Sequence, residues 1–223
     1  MIKRLALLCC ILLLPTIAAA SSQEGNTNYG DFWVGGQIGG VFTPGTDVTF
    51  TAPSLTRSIQ TDPGFSAGAI VGYNFCMPYR QIWERYFGVA LDFQWNQFNH
   101  PEKNFFPKVG GNQFALSFLG RVQYPLMGNE RFTAGRLVPF FMFGPAIVWT
   151  NSDLSNYGGG SKTSTDFGIV AEIGLEFFII PHLSIGPSFR YRHVFGPSFE
   201  AQRVFIDSQL NQFMVLGRLA WHF

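Results

Sequence analysis

The sequence has 223 residues and a formal net charge of +1, with 13% charged and 17% aromatic residues. The charged fraction is about half of the roughly 25% that is usual in soluble domains, too small to cover a water-exposed surface of this size. The composition therefore favours an outer surface that faces lipid, and the absence of a basic excess argues against nucleic acid as a partner.

The first twenty residues have the pattern of a cleavable secretory signal. Lys3 and Arg4 precede the apolar run 5–17, and the alanines at 18–20 fit a small-residue cleavage site. An apolar run of this length is shorter than the roughly 20 residues that a spanning helix needs. We predict a signal over residues 1–20 and one domain over residues 21–223, whose charge is 13 − 14 = −1 once Lys3 and Arg4 are removed.

Eight later segments alternate apolar and polar or small side chains, which is the period of a β-strand. They cover residues 32–43, 65–75, 87–95, 113–124, 137–149, 167–179, 183–193 and 213–223. Segment 137–149 is almost continuously apolar and contains Pro139 and Pro145. The sequence therefore leaves open which of its side chains point to which face of the sheet. Most segments have about the 9–11 residues that a membrane-crossing strand requires, so the sequence predicts an all-β protein with eight spanning strands.

The connections between these segments differ in length. Residues 44–64, 99–111, 151–164 and 195–210 are predicted to be long polar loops, whereas 76–85 and 180–182 are shorter. The length of the fourth connection is ambiguous, because the start of segment 137–149 is. Outer-membrane barrels have short periplasmic turns and long external loops, with an even strand number. The alternation of long and short connections agrees with that rule.

Alternate positions of a strand point to opposite faces, and we call each of the two sets of positions a parity. One parity of these strands carries all of their Asp, Glu and Arg side chains. These residues are Asp92, Arg121, Glu172, Glu176, Arg190, Arg192 and Arg218. We predict that they pair inside the barrel, because single buried charges are costly. A hairpin centred on Pro181 places Glu172 opposite Arg190, which predicts an ion pair. Such a cluster could form a polar pathway or a plug, and the narrow interior of eight strands favours a plug.

The last segment has an apolar parity and ends the chain on an aromatic residue. That parity consists of Phe213, Val215, Gly217, Leu219, Trp221 and Phe223. The segment resembles the final strand of bacterial outer-membrane β-barrels. Over nearly the whole mature chain, the pattern is similar to the small eight-stranded superfamily of the OmpA/OmpX type and its opacity-protein relatives.

The resemblance implies an eight-stranded antiparallel up-and-down transmembrane β-barrel with both termini in the periplasm. It also implies a monomeric anchor for envelope integrity, adhesion or host contact through external loops. The expected partners are outer-membrane lipid and lipopolysaccharide, the outer-membrane assembly machinery and an unknown extracellular partner. Phe213, Val215, Leu219, Trp221 and Phe223 are then expected to face lipid, Phe223 as part of an assembly signal. The last strand should pair with segment 32–43.

Three other functions remain open at this stage. A barrel of the OmpW type would be a narrow channel for small hydrophobic molecules, and a soluble lipocalin-like barrel would place the apolar parity inside. Lipid A deacylases are eight-stranded barrels in which a serine follows the histidine by two residues. Here Phe195 occupies that place after His193, and Ser198 and Glu200 could substitute only through a different geometry, so no enzyme activity is expected.

No cofactor or metal site is predicted either. The four histidines have no metal-ligand spacing with cysteine or carboxylate, and Cys76 is the only cysteine of the predicted mature chain. Six aromatic residues lie near strand ends, as the interfacial girdles of membrane barrels do. These are Tyr73, Trp95, Tyr124, Trp149, Tyr191 and Trp221.

Overall fold

The computed structural model describes most of the chain after residue 30. The described residues are 31–44, 46–51, 54–59, 62–75, 86–100, 109–127, 135–153, 160–195, 198–201, 204–207 and 210–223. The predicted signal and Cys76 lie outside them. The described residues form twelve strands: β1 Asp31–Phe42, β2 Thr46–Thr51, β3 Ser54–Ile59, β4 Gly64–Asn74, β5 Phe87–His100, β6 Val109–Gln123, β7 Leu137–Asp153, β8 Ser161–Ile180, β9 Leu183–Phe195, β10 Ser198–Ala201, β11 Val204–Asp207 and β12 Leu210–His222.

Eight of these strands close into a barrel in the order β1, β12, β9, β8, β7, β6, β5, β4. Every neighbouring pair is antiparallel. The closing seam joins β1 to β12 from Trp33 opposite His222 to Phe42 opposite Phe213. The predicted eight-stranded up-and-down barrel, including the pairing of its first and last strands, is therefore confirmed.

Side chains alternate between the interior of the barrel and its outer wall, as the pleat of a strand requires. Phe118 and Val215 on the outer wall are 67% and 64% exposed, whereas Arg121 and Arg218 inside are 1% and 2% exposed. A soluble protein rarely exposes a continuous apolar surface of this extent. The lipocalin-like alternative is therefore wrong, because the apolar parity points outwards and the charged parity inwards.

The facing of β7 follows from its burial pattern. Val138, Phe140 and Met142 are buried inside the barrel, and Pro145 lies on the outer wall. The β6–β7 pairing is interrupted between Ser117–Ala146 and Gly120–Phe143, where Pro145 has no N–H to donate. Proline is thus accommodated on the lipid side at the cost of a short break in the sheet.

Several predicted polar loops contain strands, so those loop boundaries are wrong. β2 and β3 lie within 44–64, β10 and β11 lie within 195–210, and these four strands form a second sheet in the order β10, β11, β2, β3. The loops predicted at 99–111 and 151–164 are shortened because β5 to β8 extend into them. Backbone hydrogen bonds hold these added strands and strand extensions together. A strand outside the membrane does not need apolar side chains at alternate positions, so the sequence pattern did not reveal them.

All four added strands lie at one end of the barrel, which we call the distal end. The predicted alternation of long and short connections is wrong, because 12 and 13 residues separate β4 from β5 and β6 from β7, against 8 and 7 residues between β5 and β6 and between β7 and β8. Asp31, the first described residue, and Phe223 lie at the other, terminal end. The described residues include no helix long and apolar enough to cross a membrane, and no group of three or more acidic, histidine or cysteine side chains that could hold a metal ion.

Candidate functional site

Six charged side chains of alternating sign form a continuous chain of contacts through the barrel interior, which we call the charge ladder. In spatial order they are Arg121, Glu176, Arg218, Glu172, Arg190 and Asp92. They come from five strands, β5, β6, β8, β9 and β12. Each is at most 2% exposed. Because three arginines alternate with three carboxylates, the ladder is neutral as a whole.

The part of the ladder nearest the terminal end is built around Glu176. Arg121 donates Nη1 to Oε1 at 3.0 Å and Nη2 to Oε2 at 2.7 Å, which is the bidentate geometry that makes arginine–carboxylate pairs strong. The Arg218 Nη1 lies 3.6 Å from Glu176 Oε1. Glu176 therefore links the first two arginines.

The central part of the ladder is built around Glu172. Arg218 Nη2 donates to Glu172 Oε1 at 2.5 Å, and Arg190 donates Nε and Nη2 to Glu172 Oε2 at 2.8 and 2.5 Å. The ion pair predicted between Glu172 and Arg190 is present, with the two residues directly opposite each other on β8 and β9. Glu172 thus satisfies two arginines, one on each carboxylate oxygen.

The ladder ends at Asp92, on the strand that faces β9 across the lumen. Arg190 Nη1 donates to Asp92 Oδ2 at 2.7 Å and Nη2 donates to Oδ1 at 3.2 Å. Gln37 also donates to Asp92, Gln94 accepts from Arg190, and Gln94 Nε2 donates to Ser66 at 2.7 Å. Amide side chains therefore complete the hydrogen bonding that buried ions need.

Two aromatic rings fill the lumen on the terminal side of the ladder. Arg121 lies 5.0 Å from the Trp33 ring and 4.8 Å from the Phe140 ring, and Arg218 lies 5.7 and 4.8 Å from the same rings. Both rings thus contact guanidinium groups in cation–π geometry. Side chains rather than open space therefore occupy this section of the barrel.

Glycines on neighbouring strands make room for these rings. Trp33 lies directly opposite Gly72, and Phe140 lies directly opposite Gly174. A Cβ at Gly174 would lie 2.5 Å from the Phe140 ring, and one at Gly72 would overlap the Trp33 indole. The sequence analysis missed both rings, but a large inward side chain facing a glycine across a strand pair is a signal that could have found them.

The seventh predicted charge, Arg192, lies distal to the ladder and binds neutral groups. Its Nε and Nη2 donate to Gln212 Oε1 at 2.8 and 2.7 Å, and Nη2 donates to Gln113 Oε1 at 2.5 Å. Gln113 in turn donates to the Thr150 hydroxyl at 3.0 Å. Arg192 is 1% exposed. The structure therefore brings six of the seven predicted charges into one paired chain and leaves Arg192 outside it.

Comparison with known families agrees with this architecture. The family model described as the outer membrane protein beta-barrel domain matches residues 6–223. The chain belongs to this family. A closed barrel with an apolar outer wall is the architecture that a protein needs to span the bacterial outer membrane with β-strands.

Solved outer-membrane barrels share the fold at low sequence identity. The outer membrane protein OprG from Pseudomonas aeruginosa is 18% identical, with a TM-score of 0.58, and the match covers 88% of this chain and 97% of that one. The Neisserial surface protein A is 12% identical, with a TM-score of 0.52 and coverage of 86% and 97%. The N-terminal barrel domain of OprF from Pseudomonas aeruginosa is 11% identical, with a TM-score of 0.50 and coverage of 88% and 100%. A search of curated proteins found no match.

The outer wall of this outer-membrane barrel carries the six aromatic residues predicted as girdles. Tyr73, Tyr124 and Trp221 lie towards the terminal end of their strands, whereas Trp95, Trp149 and Tyr191 lie towards the distal end. Trp95 and Trp149 flank Phe114 across the β5–β6–β7 pairing. The aromatic residues thus bracket the apolar wall at both ends.

The residues predicted as an assembly signal lie along the outer face of β12. Val215, Leu219, Trp221 and Phe223 are 64%, 51%, 44% and 40% exposed. Phe213 is partly covered, because the Phe189 and Tyr191 rings lie 6.1 and 5.2 Å from its own.

His193 lies on the outer wall near the distal end. Its Nδ1 lies 2.8 Å from Asn211 Oδ1, which also accepts from the Tyr191 hydroxyl at 2.7 Å, and its ring packs edge-on against Phe195 at 4.5 Å. Ser198 and Glu200 belong to β10, whose side chains are outside the described residues. The expectation that this barrel has no enzyme activity stays a prediction.

Proposed function

We propose that this protein is a monomeric outer-membrane barrel with a plugged lumen, which serves as a structural anchor and presents its distal strands and loops for surface contact. The observation that carries the proposal is the charge ladder together with the Trp33 and Phe140 rings. Eight strands enclose an interior just wide enough for side chains. Paired charges and rings that span this interior leave a scaffold rather than a pore.

The proposed orientation rests on the shortest connection between the barrel strands. The turn at Pro181 and His182 is at the terminal end, and short turns face the periplasm in barrels of this class. The distal end, with the β10–β11–β2–β3 sheet, then faces the cell exterior. An exterior sheet and loops on a rigid barrel are where specificity for a partner is expected.

The outer wall supports lipid as the surrounding partner. Its apolar side chains match the hydrocarbon, and the polar group formed by Tyr191, Asn211 and His193 lies at the distal edge of the wall. Under the proposed orientation, this group lies at the level of lipopolysaccharide headgroups. We propose that β12, with its outward apolar side chains and Phe223 at its end, is the strand that the outer-membrane assembly machinery recognises.

A conductance measurement tests the plug. The full chain reconstituted in a planar bilayer is expected to give no discrete current steps, because the ladder and the rings occupy the lumen. The double variant Trp33→Ala, Phe140→Ala removes the rings but keeps the charge ladder, so it is expected to stay silent, which separates the contribution of the ladder from that of the rings. The matched control is Phe118→Ala, which removes an aromatic ring from the outer wall. Defined current steps from the unaltered protein would contradict the proposal.

Epitope tags test the orientation. A tag inserted between β2 and β3 is expected to bind antibody on intact cells, because that hairpin faces the exterior. A tag inserted at the Pro181–His182 turn is expected to bind only after the outer membrane is permeabilised. The reverse pattern of labelling, with both tagged proteins present at equal levels in the outer membrane, would overturn the assignment of the two ends.

A further inference from the structure

Three polar side chains on the outer wall of the barrel form one hydrogen-bonded group, which we call the wall triad. Tyr191 and His193 belong to β9 and Asn211 belongs to β12, where Asn211 lies directly opposite His193. Asn211 Oδ1 accepts from the Tyr191 hydroxyl at 2.7 Å and lies 2.8 Å from His193 Nδ1. All three side chains are partly exposed. Polar groups are costly to place in hydrocarbon, so we expect the wall triad to lie where the apolar band of the wall ends.

The position of the wall triad agrees with the expected thickness of that band. The outward side chains of β12 are apolar or aromatic, apart from Gly217, over the 223 − 213 = 10 positions between Phe213 and Phe223. At about 3.4 Å per residue and a strand tilt of about 40°, ten positions span about 26 Å of membrane, against about 25 Å for the apolar band of outer-membrane barrels. Asn211 is the next outward residue beyond Phe213. The wall triad therefore lies at the level of the lipid headgroups on the distal side.

The two contacts within the wall triad determine which atoms can face a ligand. An amide oxygen only accepts hydrogen bonds, so His193 Nδ1 carries the proton in its contact with Asn211. The other ring nitrogen, Nε2, then accepts in the neutral imidazole, and the Asn211 Nδ2 group carries two donor hydrogens. Neither contact uses these two nitrogens. The wall triad can therefore offer both a donor and an acceptor to a polar headgroup.

Two aromatic rings continue the same part of the wall towards β8. The Phe195 ring packs edge-on against the His193 ring at 4.5 Å, and the Phe167 ring stacks with the Phe195 ring at 5.9 Å. Phe167 and Phe195 lie directly opposite each other on β8 and β9, and they are 54% and 44% exposed. The face of an aromatic ring is negative and attracts the C–H groups of a sugar ring, whereas the hydroxyl groups of a sugar need both donors and acceptors. This combination suits a sugar headgroup better than that of a phospholipid such as phosphatidylethanolamine, which has no ring.

We propose that the wall triad, together with Phe167 and Phe195, binds the sugar headgroup of a glycolipid in the distal leaflet of the membrane. The inference rests on the proposed function, in which this leaflet is the outer leaflet of the outer membrane. It goes further by naming the residues and the sugar chemistry through which the wall selects a lipid. The apolar wall beside the triad accepts acyl chains of any lipid, so the selection depends on the headgroup.

Native mass spectrometry of the refolded barrel in detergent tests the site. The probe is purified lipid A, whose headgroup is a pair of sugars, and one tightly bound molecule is expected on the unaltered protein. Asn211→Leu is expected to bind lipid A about tenfold more weakly, as the loss of one or two hydrogen bonds predicts. Gln97→Leu is the matched control, because it removes an exposed outward amide from β5, and it should bind as the unaltered protein does. Equal binding by Asn211→Leu, or displacement of lipid A by an equal concentration of phosphatidylglycerol, would overturn the proposal.

A second measurement needs no variant to fold. In nuclear magnetic resonance spectra of the unaltered protein in phospholipid nanodiscs, added lipid A is expected to shift the signals of the Asn211 side-chain amide and the His193 ring. The Gln97 side-chain amide should not shift. Unshifted Asn211 and His193 signals would contradict the site. Both measurements use purified protein and do not depend on which end faces outwards, so a reversed pattern of epitope labelling with lipid A still bound would overturn the orientation and leave the site standing.

Discussion

Replacing Glu172 with glutamine is expected to lower the free energy of unfolding by about 3–5 kcal/mol, the usual effect of breaking a buried ion pair by removing one partner. Glu172 binds Arg190 and Arg218 on separate oxygens, so its neutralisation leaves two buried guanidinium groups without a full counter-charge. The measurement is urea-dependent unfolding of the barrel in lipid vesicles. Asp166→Asn is the control, because Asp166 is on the same strand and bonds only Ser164 among the described contacts.

A double-mutant cycle with Arg190→Met separates the pair from its surroundings. Residues in one ion-pair network typically couple by about 0.5–3 kcal/mol. We expect a coupling energy within that range. It is reduced in part because Arg190 also forms an ion pair with Asp92. Additive effects of the two substitutions, or an unchanged free energy of unfolding in Glu172→Gln, would show that the contact does not stabilise the barrel.

Deleting Phe223 is expected to remove most of the protein from the outer membrane of living cells while leaving the fold of the purified barrel unchanged. In the folded protein, Phe223 donates its backbone N–H to Phe32 O at 2.9 Å, and its ring lies 5.8 Å from the Phe32 ring. A single hydrogen bond contributes about 0.5–1.5 kcal/mol, and the β1–β12 register from Trp33 to Phe42 remains. The loss should therefore concern recognition of β12 during assembly.

The measurements are the amount of folded protein in outer-membrane fractions and the refolding yield of purified protein in detergent. Phe223→Tyr keeps an aromatic end and should assemble at nearly the normal level. Phe118→Ala removes an outward ring elsewhere and should also assemble. Normal outer-membrane levels of the truncated chain would contradict the role of Phe223, whereas a truncated chain that fails to refold in detergent would show that the residue acts on the fold itself.

Much of the barrel could be predicted because lipid and lumen impose opposite demands on alternate residues. The parity of Asp92, Arg121 and Glu176 marked them as interior side chains, and the structure places all three in the charge ladder. The order and antiparallel pairing of the eight strands then follow from pairing each segment with the next one along the chain and the last segment with the first. The added strands β2, β3, β10 and β11 could not be predicted in this way, since backbone pairing outside the membrane needs no such alternation.

The predicted pairing of Glu172 with Arg190 depends on a local irregularity. The turn has two residues, Pro181 and His182, and a regular hairpin around it would place Glu172 opposite Tyr191, whose side chain faces outwards. The structure has a register shift between Phe178 and Ile180, and this bulge takes up one residue. The register centred on Pro181 is restored beyond it, so that both partners face the lumen.

The packing of the lumen was less predictable than its charge. Trp33 and Phe140 are apolar side chains on the interior parity, and the glutamines at 37, 94, 113 and 212 are buried hydrogen-bonding partners. Composition by parity separates lipid from lumen, but it does not say which interior residues meet across the barrel. Those contacts depend on the stagger between strands that are not neighbours, which sequence periodicity does not contain.

The second sheet has a consequence for the order of folding. Closing the seam brings together Trp33 and His222, which are 222 − 33 = 189 positions apart, and the pairing of β11 with β2 joins Phe50 to Val204, 204 − 50 = 154 positions apart. The entropic cost of closing a loop rises only slowly with its length, so the two closures would be about equally costly if made separately. Once the seam is formed, however, β2 and β11 each lie within a few residues of it. The second sheet then closes at the cost of a short loop, so we expect barrel closure and formation of the second sheet to occur together in a single step of folding.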